Sequence, residues 1–310
     1  MGKMGQRIID PRIRLRHLAC FLEVARLKSV VNAASALGIS QPAASKTVQE
    51  LEELLGAALF DRTRRRLTLT TFGEIFYRHA STSLAALRQG IDAARTSSEA
   101  PVVRVGALPT VSARLLPDAV RAFAAAEPDV NTRIITGPNG FLLSMLRLGD
   151  VDLVIGRMAE PEAMIGLGFE HLYSERVVMV VRPGHPLLDQ SPFDLAMIER
   201  YQTLMPTPSS VIRRLVDRML LTHGVTELPH GVETISSAFG RAYTRQTDAV
   251  WIISEGVVAN DLAEGYLALL PLDTGETVGP VGFTTRTGTV PTLAAGSLIQ
   301  CVRDVAADLY

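Results

Sequence analysis

Ala33-Ala34-Ser35-Ala36-Leu37-Gly38-Ile39-Ser40-Gln41-Pro42-Ala43-Ala44-Ser45-Lys46 is the stretch on which the fold of the first third turns. Gly38 tolerates a positive φ, so the alanine-rich run before it can end in a tight turn. Ser40 stands where its hydroxyl caps a new helix. Pro42 falls in that helix's first turn, where a missing N–H costs little. The spacing predicts a helix to about Leu55, with Ala44, Val48, Leu51, Leu54 and Leu55 facing inward and Gly56 ending it. Its outward residues, Ser40, Gln41, Ser45, Lys46 and Gln49, are short and polar.

Working outward, Leu15, Leu18, Phe21, Leu22 and Ala25 recur at helical spacing and predict an earlier helix. After Gly56, the alternation around Leu67-Thr68-Leu69-Thr70 predicts a short hairpin, with Arg62, Arg64, Arg65 and Arg66 at its tip. Helix, tight turn, helix and basic wing form a winged helix-turn-helix pattern. A helix that enters the DNA major groove needs short polar residues near its N-terminus. Gln reads adenine with two hydrogen bonds, and Ser and Lys reach base edges or phosphates. The arginines suit phosphate or minor-groove contacts. Taken singly, each feature also reads as an ordinary solvated surface. A long helix is predicted from about Thr71 to Ala94, with an apolar stripe of Phe72, Ile75, Phe76, His79, Leu84, Leu87 and Ile91. Nothing nearby in the sequence covers that stripe, so it calls for its own domain or a second chain. Residues 96–101, polar and ending in Pro101, read as a hinge.

The 310-residue chain carries a net charge of −1, but unevenly. Residues 1–95 hold 15 Lys/Arg against 8 Asp/Glu, a net of +7, which leaves −8 for the remainder. A basic head on an acidic body suggests an anion-binding head. Cys20 and Cys301 give no disulfide framework. No apolar run approaches the roughly 18 residues that cross a bilayer. The basic start lacks an apolar signal core, so the expected location is cytoplasmic.

From Val102 the rhythm changes to strand–helix alternation. Strands are predicted at 102–107, 130–136, 151–155, 177–181, 250–253, 268–270 and 281–286. Helices are predicted at 116–126, 141–148, 209–222, 234–245 and 292–309. This implies an α/β domain with a largely parallel sheet.

Ala33-Ala34, Leu37, Ser40-Gln41-Pro42-Ala43, Ser45, Leu51-Glu52, Leu55-Gly56, Leu59-Phe60, Arg62, Leu69-Thr70 and Gly73 stand together at fixed spacings. In this the chain resembles the LysR-type transcriptional regulators over residues 14–75. Val30 and Lys46 depart mildly, where the family often has an aromatic residue and Arg. The resemblance implies a winged helix-turn-helix at 1–70, a dimerising linker helix and hinge at 71–100, and an effector domain at 101–310. That domain would resemble a two-lobed periplasmic binding protein, with lobe I at 101–175 and 276–310 and lobe II at 176–275. It further implies a homodimer or homotetramer on the double-stranded DNA of a promoter operator, contact with RNA polymerase, and no membrane partner.

Ligands of open α/β sheets sit beyond strand ends, near helix starts. Three segments fit: Leu108–Ser112 with Thr110 and Ser112, Gly137–Gly140 with Asn139, and Thr207–Ser210 with Thr207, Ser209 and Ser210. Hydroxyls and free N–H groups there favour a carboxylate; each segment also reads as a simple helix cap. Arg157, after a predicted strand, would point to the same mouth and hold a carboxylate by two hydrogen bonds. Its alternative is a surface ion pair with Glu160 or Glu162. Gly156-Arg157 resembles the subgroup of the family that responds to aromatic-degradation intermediates. Within it the chain looks most like activators of protocatechuate operons, which implies a carboxymuconate effector. A different metabolic operon with another small anion stays open, as do a solute-binding protein and an enzyme. Against an enzyme, the six histidines lack metal-ligand spacing, there is no phosphate loop or nucleophile elbow, and no cofactor is expected.

Overall fold

The computed structural model describes residues 10–61, 67–95 and 100–309. The chain divides into two compact units, 1–97 with 147–150 and 98–146 with 151–310.

The first unit contains α1 (Leu15–Leu27), α2 (Val30–Ala36), α3 (Gln41–Leu55), the hairpin of β1 (Phe60–Asp61) and β2 (Thr68–Leu69), and α4 (Thr71–Arg95). The local signals act as expected. Gly38 adopts φ +67°. The Ser40 hydroxyl accepts from Ala43 N at 3.4 Å. Gly56 ends α3 in the left-handed region. Leu15, expected on the inner face of α1, is exposed; the buried face is carried by Cys20, Phe21, Leu22 and Val24. Phe21 is the centre of the core, with ring centroids 5.5 Å from Phe60, 5.4 Å from Phe76 and 6.2 Å from Tyr77. One carboxylate ties the hairpin to α3: Glu52 Oε1 accepts from Leu59 N at 2.8 Å and Phe60 N at 3.2 Å. At the start of α4, a Cβ on Gly73 would lie 2.1 Å from the Leu59 carbonyl oxygen, so only glycine fits.

The second unit has two lobes, each with a five-stranded sheet. Its elements in chain order are β3 (Val102–Ala107), α5 (Pro109–Ser112), α6 (Leu115–Ala126), β4 (Asn131–Thr136), α7 (Asn139–Leu148), β5 (Leu153–Arg157), β6 (Leu167–Glu175), β7 (Val177–Val181), β8 (Thr203–Met205), α8 (Arg213–Thr222), β9 (Gly231–Glu233), α9 (Ser237–Gln246), β10 (Val250–Ser254), α10 (Glu255–Ala263), β11 (Ala268–Leu269), β12 (Gly279–Arg286) and α11 (Leu293–Leu309). One sheet runs β4-β3-β5-β12-β6 and the other β11-β7-β10-β8-β9. The largely parallel sheet expected from the alternation is corrected to two mixed sheets. β3 pairs β4 and β5 in parallel, but β12 is antiparallel to β5 and β6. In the other lobe β8 is parallel to β9 and β10, while β7 is antiparallel to β10 and β11. The chain crosses between sheets twice, at Arg176 and before β12, and those crossings bring in the antiparallel strands. In the first lobe α6 and α11 cover one sheet face through Leu116, Phe123, Leu298 and Val302. In the second, Trp251 is core, packed against the α9 backbone at Gly240.

Gly73→Ala is expected to destabilise the first unit by about 1–3 kcal/mol, since Leu59 must move to admit a methyl group. Denaturant unfolding followed by far-UV circular dichroism measures this; an unchanged midpoint would show that the contact is not tight.

Candidate functional site

The first candidate surface is the outward side of α3. Ser40, Gln41, Pro42, Lys46 and Gln49 are exposed and Ser45 is half-buried, while Ala44, Val48 and Leu51 face the core. Gln41, Ser45 and Gln49 follow one another at four-residue spacing, which places them on one stripe. Gln41 Nε2 donates to Ser45 Oγ at 3.2 Å. That bond orients the Gln41 amide while leaving its oxygen free of this contact. Arg62, Arg64, Arg65 and Arg66 lie outside the described residues.

The second candidate is a cavity of about 400 Å³ between the two lobes of the second unit. It is lined by Thr110, Ser112, Asn139, Arg157, Ser209 and Ser210, so six of the seven residues expected there meet around one space. Thr207 does not line it; its hydroxyl lies 3.2 Å from the Ser209 hydroxyl. The Thr207–Ser210 segment is a turn, not a helix start, because α8 begins only at Arg213. Sequence reasoning missed Thr136, Thr234, Ser236, Ser237 and Ser254, which complete the polar lining. Ser236 caps α9 by accepting from Phe239 N at 3.2 Å. The signal was there, a serine before a helical run. It was hidden because the three-residue β9 was not recognised, so the helix was started too early at Thr234.

Arg157 is not a surface residue. It is the last residue of β5, only 5% exposed, and Glu160 pairs instead with Arg214 at 3.8 Å. The ion pair with Glu160 or Glu162 is thereby excluded. Its guanidinium lies against Gly279, where a Cβ would come within 2.5 Å of Nη2. Nη2 donates to the Thr277 carbonyl at the second crossing, and Nη1 is buried without a hydrogen-bond partner. The side chain thus reaches along the crossing as well as lining the cavity. Burial draws the guanidinium below its usual proton affinity, and the charge of Glu175 partly offsets this.

Glu175, the last residue of β6, is the acid the sequence reading missed. It is 6% exposed and accepts from the Thr110 hydroxyl and, at 3.2 Å, from Gly256 N. Gly256 must be glycine, since a Cβ there would lie 2.7 Å from both Glu175 Oε2 and the Thr110 carbonyl. Burial pushes the Glu175 carboxyl above the ordinary carboxylate range; the Thr110 bond and the Arg157 charge pull it back in part. Ser112 donates to the Leu108 carbonyl at 3.0 Å. The hydroxyl hydrogens of Thr110 and Ser112 are therefore already used. What remains to satisfy an anion in this wall is the Arg157 cation.

Among the described residues no cluster of His, Cys, Asp or Glu could hold a metal ion, and no helix is long and apolar enough to cross a membrane.

Residues 15–74 match the bacterial regulatory helix-turn-helix proteins of the lysR family, and residues 96–307 match the LysR substrate binding domain. Over 307 residues, 98% of both chains, the sequence is 50% identical to the HTH-type transcriptional regulator PcaQ of Agrobacterium fabrum. It is 36% identical over 299 residues to the uncharacterized HTH-type transcriptional regulator YdcI of Escherichia coli, covering 96% of this chain and 97% of that one. Among solved structures, full-length BenM superposes with TM-score 0.54 at 23% identity over 96% of this chain and 97% of that one. Full-length CbnR complexed with its target DNA gives TM-score 0.53 at 21% identity, over 94% and 100%. These two share the fold.

A folded carboxyl that binds its proton more tightly than the unfolded chain stabilises the fold most at low pH. That contribution fades as pH rises from the ordinary carboxylate value to the raised one. The stability of Glu175→Gln relative to wild type should therefore improve steadily as pH rises through that interval. Urea midpoints from pH 4 to 8 measure this, and a difference that stays constant would mean Glu175 has an ordinary proton affinity.

Proposed function

The chain belongs to the LysR family of bacterial transcriptional regulators, a DNA-binding and effector-responsive regulator and not an enzyme, and we propose that it activates a protocatechuate catabolic operon from the cytoplasm in response to a small carboxylate such as a carboxymuconate. The full-length 50% identity to PcaQ supports the operon. The observation that carries the effector class is Arg157: a buried cation with an unpartnered N–H in the wall of a cavity of about 400 Å³. A carboxylate would supply both the missing acceptor and the countercharge.

In this reading the α3 stripe enters the major groove of the promoter operator, with Gln41 and Gln49 at base edges, and Ser40, Lys46 and the wing arginines hold phosphates. The division into a head at 1–70, a linker at 71–100 and an effector domain at 101–310 follows from the same reading. Self-association into a homodimer or homotetramer runs through α4, where Phe72, Ile75, Leu87 and Ile91 are all exposed on the single chain. Effector in the cavity favours one inter-lobe geometry, which changes the spacing of paired heads and the contact with RNA polymerase.

A thermal-shift screen against protocatechuate, the muconates and carboxymuconate tests the effector. Ligand at 100 Kd should stabilise by about 2.7 kcal/mol, and Arg157→Ala should abolish the shift while sparing DNA binding. A shift that survives Arg157→Ala rejects the carboxylate site. Gln41→Ala should weaken operator binding by about 1–3 kcal/mol with little change on random DNA; equal loss on both would make Gln41 a general contact. Leu87→Glu should lower the molecular mass seen by light scattering; an unchanged mass would place self-association elsewhere.

A further inference from the structure

Arg157 lines the cavity and Glu175 lies buried behind its Thr110, and the two act on one another without forming a contact ion pair. Arg157 spends one N–H on the Thr277 carbonyl and leaves Nη1 open. Glu175 holds groups from both lobes: the Thr110 hydroxyl from the first on Oε1, and Gly256 N, at the start of α10, from the second on Oε2. The neighbouring charges cancel each other, since Arg176 Nε donates to Glu255 Oε2 at 3.2 Å. Gly279, on which the Arg157 guanidinium lies, pairs with Glu175 between β12 and β6, so the cation stands beside the acid; after the Thr110 bond, its charge does most to hold the proton affinity of Glu175 down against burial.

We propose that Glu175 is a positioning residue of this site that takes a proton from solvent when a carboxylate settles on Arg157, so that effector binding and the inter-lobe hydrogen bonds are linked. This rests on the carboxylate site proposed above. The physical ground is that two carboxylates sharing one cation in a water-poor site cannot both stay ionised. The incoming carboxylate takes the Arg157 charge, and Glu175 loses its compensation. An ionised carboxyl accepts on both oxygens; a protonated one has an O–H to place and fewer acceptor positions. Thr110 donates to one oxygen and Gly256 N to the other, so a proton on either oxygen weakens one of the two bonds. The effector thus reaches the contact between lobes through a proton, without touching α10.

Two measurements test this on the full-length protein. In the ligand-free state, the carboxyl of Glu175 is followed by carbon-13 NMR titration in wild type and in Arg157→Met. The proposal requires the titration to move to higher pH in the variant. An unmoved titration overturns it, whatever ligand the cavity takes. In the second, carboxymuconate is titrated calorimetrically from pH 6 to 8 in phosphate and in Tris, whose ionisation heats differ. Wild type should take up a proton on binding, and its affinity should fall by up to tenfold per pH unit over part of that range. Glu175→Gln should bind with no proton uptake and a flat pH profile, a difference that a merely structural role would not produce. Wild-type affinity that is lost in Arg157→Ala yet shows no proton uptake at any pH overturns the coupling and leaves the carboxylate site standing. Binding that Arg157→Ala leaves intact overturns the site itself.

Discussion

The second unit is organised around a buried charge that had to be satisfied. Glu175 ends β6 at the point where the chain leaves one sheet for the other, and burial there is costly unless donors surround it. Its donors come from α5 on one side and from α10 on the other. The glycine at 256 exists to let the carboxylate approach the helix start, and the Arg157 cation sits within its field. Removing the acid would strand an α10 N–H and the Thr110 hydroxyl beside the cavity. The cavity's shape, the lobes' contact and the protonation of its wall are therefore one problem with one solution.

The second crossing is fixed by neutral groups. Thr277 Oγ1 accepts from Val177 N at 2.8 Å and donates to the Thr274 carbonyl at 2.7 Å, while Thr274 Oγ1 donates to the Val177 carbonyl at 2.6 Å. The two crossing strands are stitched side by side by two threonines. Arg157 joins this stitch through the Thr277 carbonyl.

The head was legible because its signals are local. A glycine at positive φ, a serine cap and a proline in a first turn each act within four residues of themselves, and α2 and α3 end where those residues say. The cavity was legible in part for the same reason, since Thr110, Ser112 and Asn139 stand at strand-to-helix joints. What escaped was set by long-range partners. β6 carries Glu170 and His171 on an exposed face and gave no apolar run; it is a strand because β12 pairs along its whole length. β8 and β9, at three residues each, are too short for periodicity to register and exist as additions to a sheet nucleated by β10. Glu175 looked like one more surface acid, since nothing in its sequence neighbours marks the donors that come from residues 110 and 256. Arg157 was noticed, but its burial depends on Gly279, more than a hundred residues away.

Glu52 bears on how operator preference can drift. Glu52 follows Gln49 by three residues and so continues the stripe of Gln41, Ser45 and Gln49 towards the C-terminal end of α3, where its carboxylate grips the amides of Leu59 and Phe60 that begin the hairpin. In the DNA-binding reading proposed above, α3 and the hairpin are one caliper, with the adjustable residues in the first turns of the stripe and the fastening near its end. On that reading, residues 41, 45 and 49 can be exchanged while Glu52 keeps its grip on the hairpin, so a lineage can acquire a new base preference with the spacing of α3 and hairpin inherited unchanged.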